Sequence, residues 1–197
     1  MKRSFYILFS LLMLLLFSSN SVFAQKKKGS KKRHHAPKEL AVKKQVKKDT
    51  LTSKICADSL IARAKRFLGT PYKYASCSPD AGFDCSGFVY YVFGTFDTKV
   101  PRSSIDYGSL KGSIPSDSAR VGDVIVFTGT NASNRRAGHV GIVISNPGEE
   151  LTFIHSSSNK KRGGVIISTY KSSPYYEKRF IKIVRLENTW VDKCVAK

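Results

Sequence analysis

Asp84-Cys85-Ser86-Gly87-Phe88-Val89-Tyr90-Tyr91-Val92-Phe93-Gly94-Thr95-Phe96 is the stretch on which the reading of this chain turns. Phe88, Val89, Val92, Phe93 and Phe96 recur at three- and four-residue intervals and make one apolar stripe on a helix. Asp84 stands where an N-cap belongs. A cysteine opening such a helix lies beside unpaired backbone N–H groups and the positive end of the dipole, which favour thiolate over thiol. Gly87 removes side-chain bulk one turn in, leaving room for another group to approach. Alone, a cysteine before an apolar helix is more often an ordinary buried residue, so its partners have to be sought elsewhere in the chain.

Working outward, Leu60, Ile61, Ala64, Phe67 and Leu68 form a second helical pattern, ended by Gly69-Thr70-Pro71. A loop from Tyr72 to Phe83 joins the two, with Ser78-Pro79-Asp80 and Gly82 as turn formers. Beyond the cysteine helix the period changes. Asp123–Phe127 (DVIVF), Val140–Ile144 (VGIVI), Leu151–Ile154 (LTFI), Val165–Ser168 (VIIS) and Phe180–Val184 (FIKIV) are short β-rich runs separated by turn residues. Helices first and strands after, joined by short links, predict an α+β fold. Its N-terminal helices pack on an antiparallel sheet of five to six strands, and the cysteine sits at a helix N-terminus.

The ends read differently. Lys2 and Arg3 precede an apolar run from Phe5 to Phe17, and Val22-Phe23-Ala24 closes it with small residues at the cleavage spacing. The run is short for a membrane-spanning helix, so residues 1–24 are expected to be an export signal and the mature chain to begin at Gln25. From Gln25 to Lys48 there are eleven Lys or Arg and one acid, Glu39, within a chain of formal net charge +20. Residues 25–50 are therefore expected to be a disordered basic tail. In an exported protein such a tail meets anionic envelope polymers or lipid head groups, not nucleic acid; a solvated spacer is the equal alternative. Residues 51–187 hold the folded domain and 188–197 a C-terminal tail. The four cysteines are Cys56, Cys77, Cys85 and Cys194. A Cys56–Cys194 bridge would join the two ends of the domain.

Outside the tail there are two histidines, and both border strands. His139 lies in Gly138-His139-Val140-Gly141, ahead of a strand, with glycines that leave room around the imidazole. His155 closes the run Leu151–Ile154 and, by alternation, shares the inward face with Leu151 and Phe153. A Cys–His pair needs a third group that fixes the imidazole tautomer, and His155 can do this by accepting from one ring nitrogen of His139. A zinc site of Cys77, Cys85, His139 and His155 is the rival, ranked lower because the two cysteines are spaced more widely than in a zinc knuckle.

Gly69-Thr-Pro-Tyr72-Lys-Tyr, Phe83-Asp-Cys-Ser-Gly-Phe-Val89, Pro101-Arg-Ser-Ser104, Gly122-Asp-Val, Gly138-His-Val-Gly-Ile-Val143 and Phe153-Ile-His155 occur in this order. In that respect the chain resembles the NlpC-family cell-wall endopeptidases (the NlpC/p-sixty group) from about Ile55 to Val184. The resemblance implies a papain-like fold and cysteine-peptidase hydrolysis of peptidoglycan stem peptides, at the bond between γ-linked D-glutamate and the following diamino acid. It implies Cys85 as nucleophile, His139 as base, His155 as its orienting residue and Tyr72 as a contributor to the oxyanion hole. It also implies Asp84, Arg102 and Ser104 as residues of the substrate site. Neither a metal nor an organic cofactor is expected, and localisation would be periplasmic, extracellular or wall-associated.

Two departures stand out. Ala75-Ser76-Cys77 replaces the Gly-Gly pair that many members carry, in a slightly longer loop, and Asn146-Pro-Gly-Glu-Glu150 extends the hairpin between the histidines. Asp84 or Glu149 is a candidate to select the amine end of a stem peptide; only Asp84 has a counterpart in the family. A catalytically silent wall-binding module, an envelope-binding protein acting through its cationic tail, and acyltransferase or thioesterase chemistry on a related fold are the alternatives.

Overall fold

The computed structural model describes Val42 and residues 56–161 and 163–186. The chain divides into two units, Met1–Lys38 and Glu39–Lys197, and every described residue lies in the second. The export segment, nearly all of the basic tail and Cys194 with its proposed bridge to Cys56 lie outside the described residues.

The helical half follows the apolar spacing. Helix α1 includes residues 56–65 and buries Cys56, Leu60 and Ala64. The chain leaves the helix before Gly69, whose φ of 84° only glycine takes without strain. Phe67 still packs on the core, but Leu68 is 45% exposed. The helical spacing that grouped Leu68 with the core ends before reaching it. At this exit Gly69 N–H donates to Val165 O and Val165 N–H to Thr70 O, both at 2.9 Å. The loop expected after it contains a small hairpin, β1 (Cys77–Ser78) against β2 (Gly82–Phe83). Tyr72 is bridged to Phe83 beside it.

Helix α2 (Cys85–Gly94) begins at the cysteine, and its N-cap Asp84 accepts from Gly87 N–H at 2.6 Å. Phe88, Val89, Val92 and Phe93 are fully buried; Phe96 falls beyond the helix end and packs on the core from there. Two further elements carried no strong apolar signal: α3 (Ser104–Ser109), which buries Tyr107, and a single 3-10 turn at Ser116–Ser118.

The five strand-like runs form one sheet. Strands β3 (Val124–Thr128), β4 (Ala137–Val143), β5 (Thr152–Ser157), β6 (Gly164–Thr169) and β7 (Phe180–Val184) stand in the order β6-β5-β4-β3-β7, with every neighbour antiparallel. A short helix, α4 (Pro174–Arg179), leads into β7. Alternation divides the strands between two cores. Val124, Val126, Val140, Ile142 and Ile154 join Leu60, Phe88 and Val92 on the helix side, whereas Ile125, Phe127, Phe153 and Ile183 form a second cluster on the opposite face. Phe127 faces His139 across the β3–β4 ladder, so both histidine strands display their rings on the second face.

Candidate active site

The cysteine is positioned from below by backbone. Ser76 O accepts Asp84 N–H at 2.9 Å, and a Cβ on Gly87 would lie 2.1 Å from that same oxygen. Gly87 is therefore the residue that lets the β1 loop pass under the first turn of α2. Ser156 Oγ, buried on β5, donates to Phe83 O at 2.7 Å and ties the sheet to the residue before the cap. Cys85 itself is buried, and its Sγ points to Gly138 O at 3.9 Å. The N-terminus of α2 thus meets the start of β4 one residue from His139.

The histidines stand inside β4 and β5, not at their ends as the runs of β-branched residues suggested. His139 Nε2 and His155 Nδ1 are 2.9 Å apart. On its far side His155 Nε2 lies 3.0 Å from Ser168 Oγ and 3.2 Å from Tyr176 OH. The room for this arrangement comes from Gly141, where a Cβ would fall 2.7 Å from Phe153 Cδ2 and 3.1 Å from His155 Cβ. Because His139 spends Nε2 on His155, Nδ1 is the nitrogen left to take a proton. A neutral His139 with a vacant Nδ1 carries its hydrogen on Nε2 and donates to His155 Nδ1. His155 in turn donates from Nε2 to Ser168 or Tyr176.

Burial sets the resting charges. It drives the His139 imidazolium down to about 3, with the Arg179 charge adding to the effect. Burial also pushes His155 well below the usual histidine range, helped by His139 and Arg179. The Cys85 thiol is raised above its ordinary value, again mainly by burial and then by Asp84. Backbone hydrogen bonds at Val140, Ser86 and Cys85 pull the other way. The helix terminus was expected to hold a thiolate at rest. Desolvation opposes it here and favours the neutral thiol and the neutral imidazole.

A cleft of about 490 Å³ opens beside the sulfur, lined by Tyr72, Asp84, Cys85, Arg102, Ser104 and Gly138 among others. Five of the expected site residues thus come together. Asp84 is engaged on both oxygens. Oδ1 accepts from Gly87 N–H, Ser86 Oγ at 3.2 Å and Arg102 Nη1 at 3.1 Å, and Oδ2 accepts from Arg102 Nη2 at 2.7 Å. This hydrogen bonding raises the Arg102 pKa. Tyr72 has its phenol pushed up by burial, then by Cys85 and Asp84, so it stays protonated and able to donate. Ala75, where many family members carry glycine, holds a φ of 57° on the cleft wall.

Two expected arrangements do not form. Glu149 lies in an exposed turn, accepting from Asn146 N–H at 2.8 Å, and lines a separate groove with Ser116 and Asp117. It cannot select an amine at Cys85. Among the described residues no three His, Cys, Asp or Glu side chains gather as metal ligands, and His139 Nε2 and His155 Nδ1 share one hydrogen bond. Sequence reasoning missed Ser168, Tyr176 and Arg179. Pro174 after Ser173 was a legible helix start, but which strand pairs with β5, and so brings Ser168 to His155, is a matter of register.

The sequence model of the NlpC/P60 family matches residues 69–185. The chain is similar to the gamma-DL-glutamyl hydrolase of Bacillus subtilis, 30% identical over 66% of this chain and 30% of that protein. It is also similar to the probable peptidoglycan endopeptidase LytE of the same organism, 37% identical over 62% of this chain and 32% of that one. A solved NlpC/P60 family protein from Bacillus cereus superposes with a TM-score of 0.56 at 29% identity, covering 66% of this chain and 39% of that one. The chain spans about a third of the length of the curated relatives named here.

Proposed function

The chain belongs to the NlpC/P60 family, its fold is the papain-like one of that family, and from this premise we propose that it is a peptidoglycan hydrolase, a cysteine endopeptidase acting on stem peptides. The observation that carries the reading is the meeting of a capped helix N-terminus bearing Cys85 with the strand bearing His139, itself oriented by His155.

In this mechanism the Cys85 sulfur attacks the scissile carbonyl while its proton passes to His139 Nδ1. The transfer separates charge only as substrate closes the cleft, consistent with a neutral resting pair. Charge on the carbonyl oxygen is met by the Cys85 backbone N–H, one of the first-turn donors without an intrahelical partner, and by the Tyr72 hydroxyl. Each such donor contributes on the order of 3 kcal/mol to transition-state stabilisation. The imidazolium then gives its proton to the leaving amine. Water, activated by the regenerated His139, releases the acyl group from sulfur. Asp84, Arg102 and Ser104 form the wall that receives the acyl side of the stem peptide. Asp84 acts there chiefly by holding Arg102, since its oxygens are already occupied. The bond between γ-D-glutamate and the diamino acid is the proposed cleavage point, supported by the name of the gamma-DL-glutamyl hydrolase relative.

The same reading makes residues 1–24 an export signal and the basic stretch after them a contact for anionic envelope polymers, so that the enzyme works at the wall. No helix among the described residues is long and apolar enough to cross a membrane.

Mass spectrometry of purified muropeptides incubated with the mature chain, beside Cys85→Ala, tests the proposal. Release of a stem dipeptide by the wild type alone supports it. Inert wild type on both sacculi and free stem peptides would replace it with a binding module, and transfer to an added amine acceptor with it would indicate acyltransferase chemistry.

A further inference from the structure

A second cleft, of about 470 Å³, lies on the His139 side of the site and holds a guanidinium that the mechanism above assigns no contact with substrate. Arg179, the last residue of α4, is only 6% exposed. Its Nη2 donates to Thr128 O at 2.7 Å, and its guanidinium lies 4.4 Å from the centre of the Tyr175 ring. Nε has no hydrogen-bond partner. Among the described residues no carboxylate pairs with it; Asp84 is taken by Arg102 and Asp123 by Arg185. The residues around this cleft include His139, Ser157, Ser173, Tyr175 and Tyr176, and none is acidic. A buried cation without a counter-ion is costly. An arginine held over an aromatic ring, with part of its donor fork uncommitted, is suited to a planar carboxylate.

Its place relative to the reaction decides which carboxylate. Cys85 and Asp84 line the first cleft, and His139 lines the second. Since His139 hands its proton to the leaving amine, the leaving fragment must extend from its side. We propose that this second cleft is the leaving-group subsite, and that Arg179 there binds a free carboxylate on the amine fragment released as the acyl-enzyme forms. Hydroxyls of Ser157 and Ser173 line the same space for the remaining carboxylate lone pairs, and Tyr175 fixes the guanidinium plane. Chains lacking a free acid beyond the scissile bond would be cut slowly, which makes Arg179 a specificity-determining residue. The inference rests on the peptidase reading.

The test is steady-state cleavage of synthetic stem peptides identical up to the scissile bond. The residue after it carries its α-carboxylate, a side-chain carboxylate, both, or neither, the missing acids being carboxamides. The wild type is expected to lose at least tenfold in kcat/KM, mainly through KM, when the recognised acid is amidated, and the series identifies which acid it is. Arg179→Gln should abolish the preference for the free acid, so that acid and amide are cut with equal kcat/KM by the same variant, and Arg179→Lys should recover part of the preference. The wild-type series needs no variant, so it stands even if Arg179→Gln unfolds through loss of its bond to Thr128. Equal cleavage of acids and amides by the wild type overturns the subsite and leaves the peptidase reading intact. An equal drop for acid and amide in a folded Arg179→Gln also overturns it. A wild type that cuts none of the peptides removes both.

Discussion

His139 Nε2 stands 2.9 Å from His155 Nδ1, with the two rings edge to face at 90° and their centroids 4.9 Å apart. On the proposed mechanism the residue that orients the base is a second imidazole, not an anion. It fixes the tautomer of His139 by accepting its hydrogen, but it brings no negative charge to stabilise an imidazolium. Desolvation of both rings then favours their neutral forms, so the proposed mechanism has proton transfer from Cys85 await the substrate.

Replacing His155 by Ala removes the acceptor, leaves His139 free to rotate or to take the wrong tautomer, and is expected to lower kcat by at least about a hundredfold. His155→Asn, which restores an acceptor oxygen, should recover a measurable part. Muropeptide turnover by the two variants checks this; equal loss in both would reduce His155 to a packing residue.

The thiol should react as a thiol. Cys85 is raised above its ordinary value and His139 lowered to about 3, so alkylation of the substrate-free enzyme by iodoacetamide should be slow at pH 5–8 and accelerate only above about pH 9. A fast plateau near pH 5 would mean that the ion pair already exists at rest.

Acid stability follows from the same burial. Both histidines have folded-state values depressed below the unfolded 6.5, so below pH 6.5 the unfolded chain binds protons that the folded chain refuses. The stability they contribute is fully present above pH 6.5 and declines as pH falls toward about 3, by up to roughly 1.4 kcal/mol per pH unit for each group. Thermal melts from pH 7 to pH 4 should show a steeper loss for wild type than for His155→Asn.

Gly87→Ala places a Cβ 2.1 Å from the Ser76 carbonyl oxygen, a backbone atom that cannot turn aside. The variant is expected to be destabilised by several kcal/mol or to fail to fold. Gly94→Ala, at the other end of α2 with nothing within 4 Å of the new carbon, should be neutral or gain less than about 1 kcal/mol from helix propensity. Urea unfolding of the pair distinguishes steric from propensity effects.

Tyr72→Phe keeps the ring and removes the donor. If the hydroxyl meets the oxyanion, kcat should fall by about a hundredfold with little change in KM. A KM effect alone would move Tyr72 from the oxyanion hole to the substrate wall.

The amino-acid sequence determined the parts that local physics governs. Apolar spacing drew α1 and α2, Asp84 marked the start of the cysteine helix, and β-branched runs located all five strands of the sheet, because helix and strand periodicities are written in neighbouring residues. The two histidines singled out by the motifs do meet, at 2.9 Å, and Cys85 lies against the residue before His139. What the sequence missed is consistent in kind. Leu68 was placed inside because the periodic pattern does not show where the chain leaves the helix. Glu149 was considered for the substrate site because a charge in a loop gives no sign of the turn it closes. Only the tertiary structure brings in desolvation. The helix dipole is a local feature and argued for a thiolate, whereas the burial that opposes it at Cys85 comes from residues distant in the chain. Strand register alone brought Ser168 to His155, and the return of α4 over the β3 end placed Arg179, uncompensated, beside His139. Desolvation and register are sums over residues distant in the chain, and no short stretch of sequence contains them.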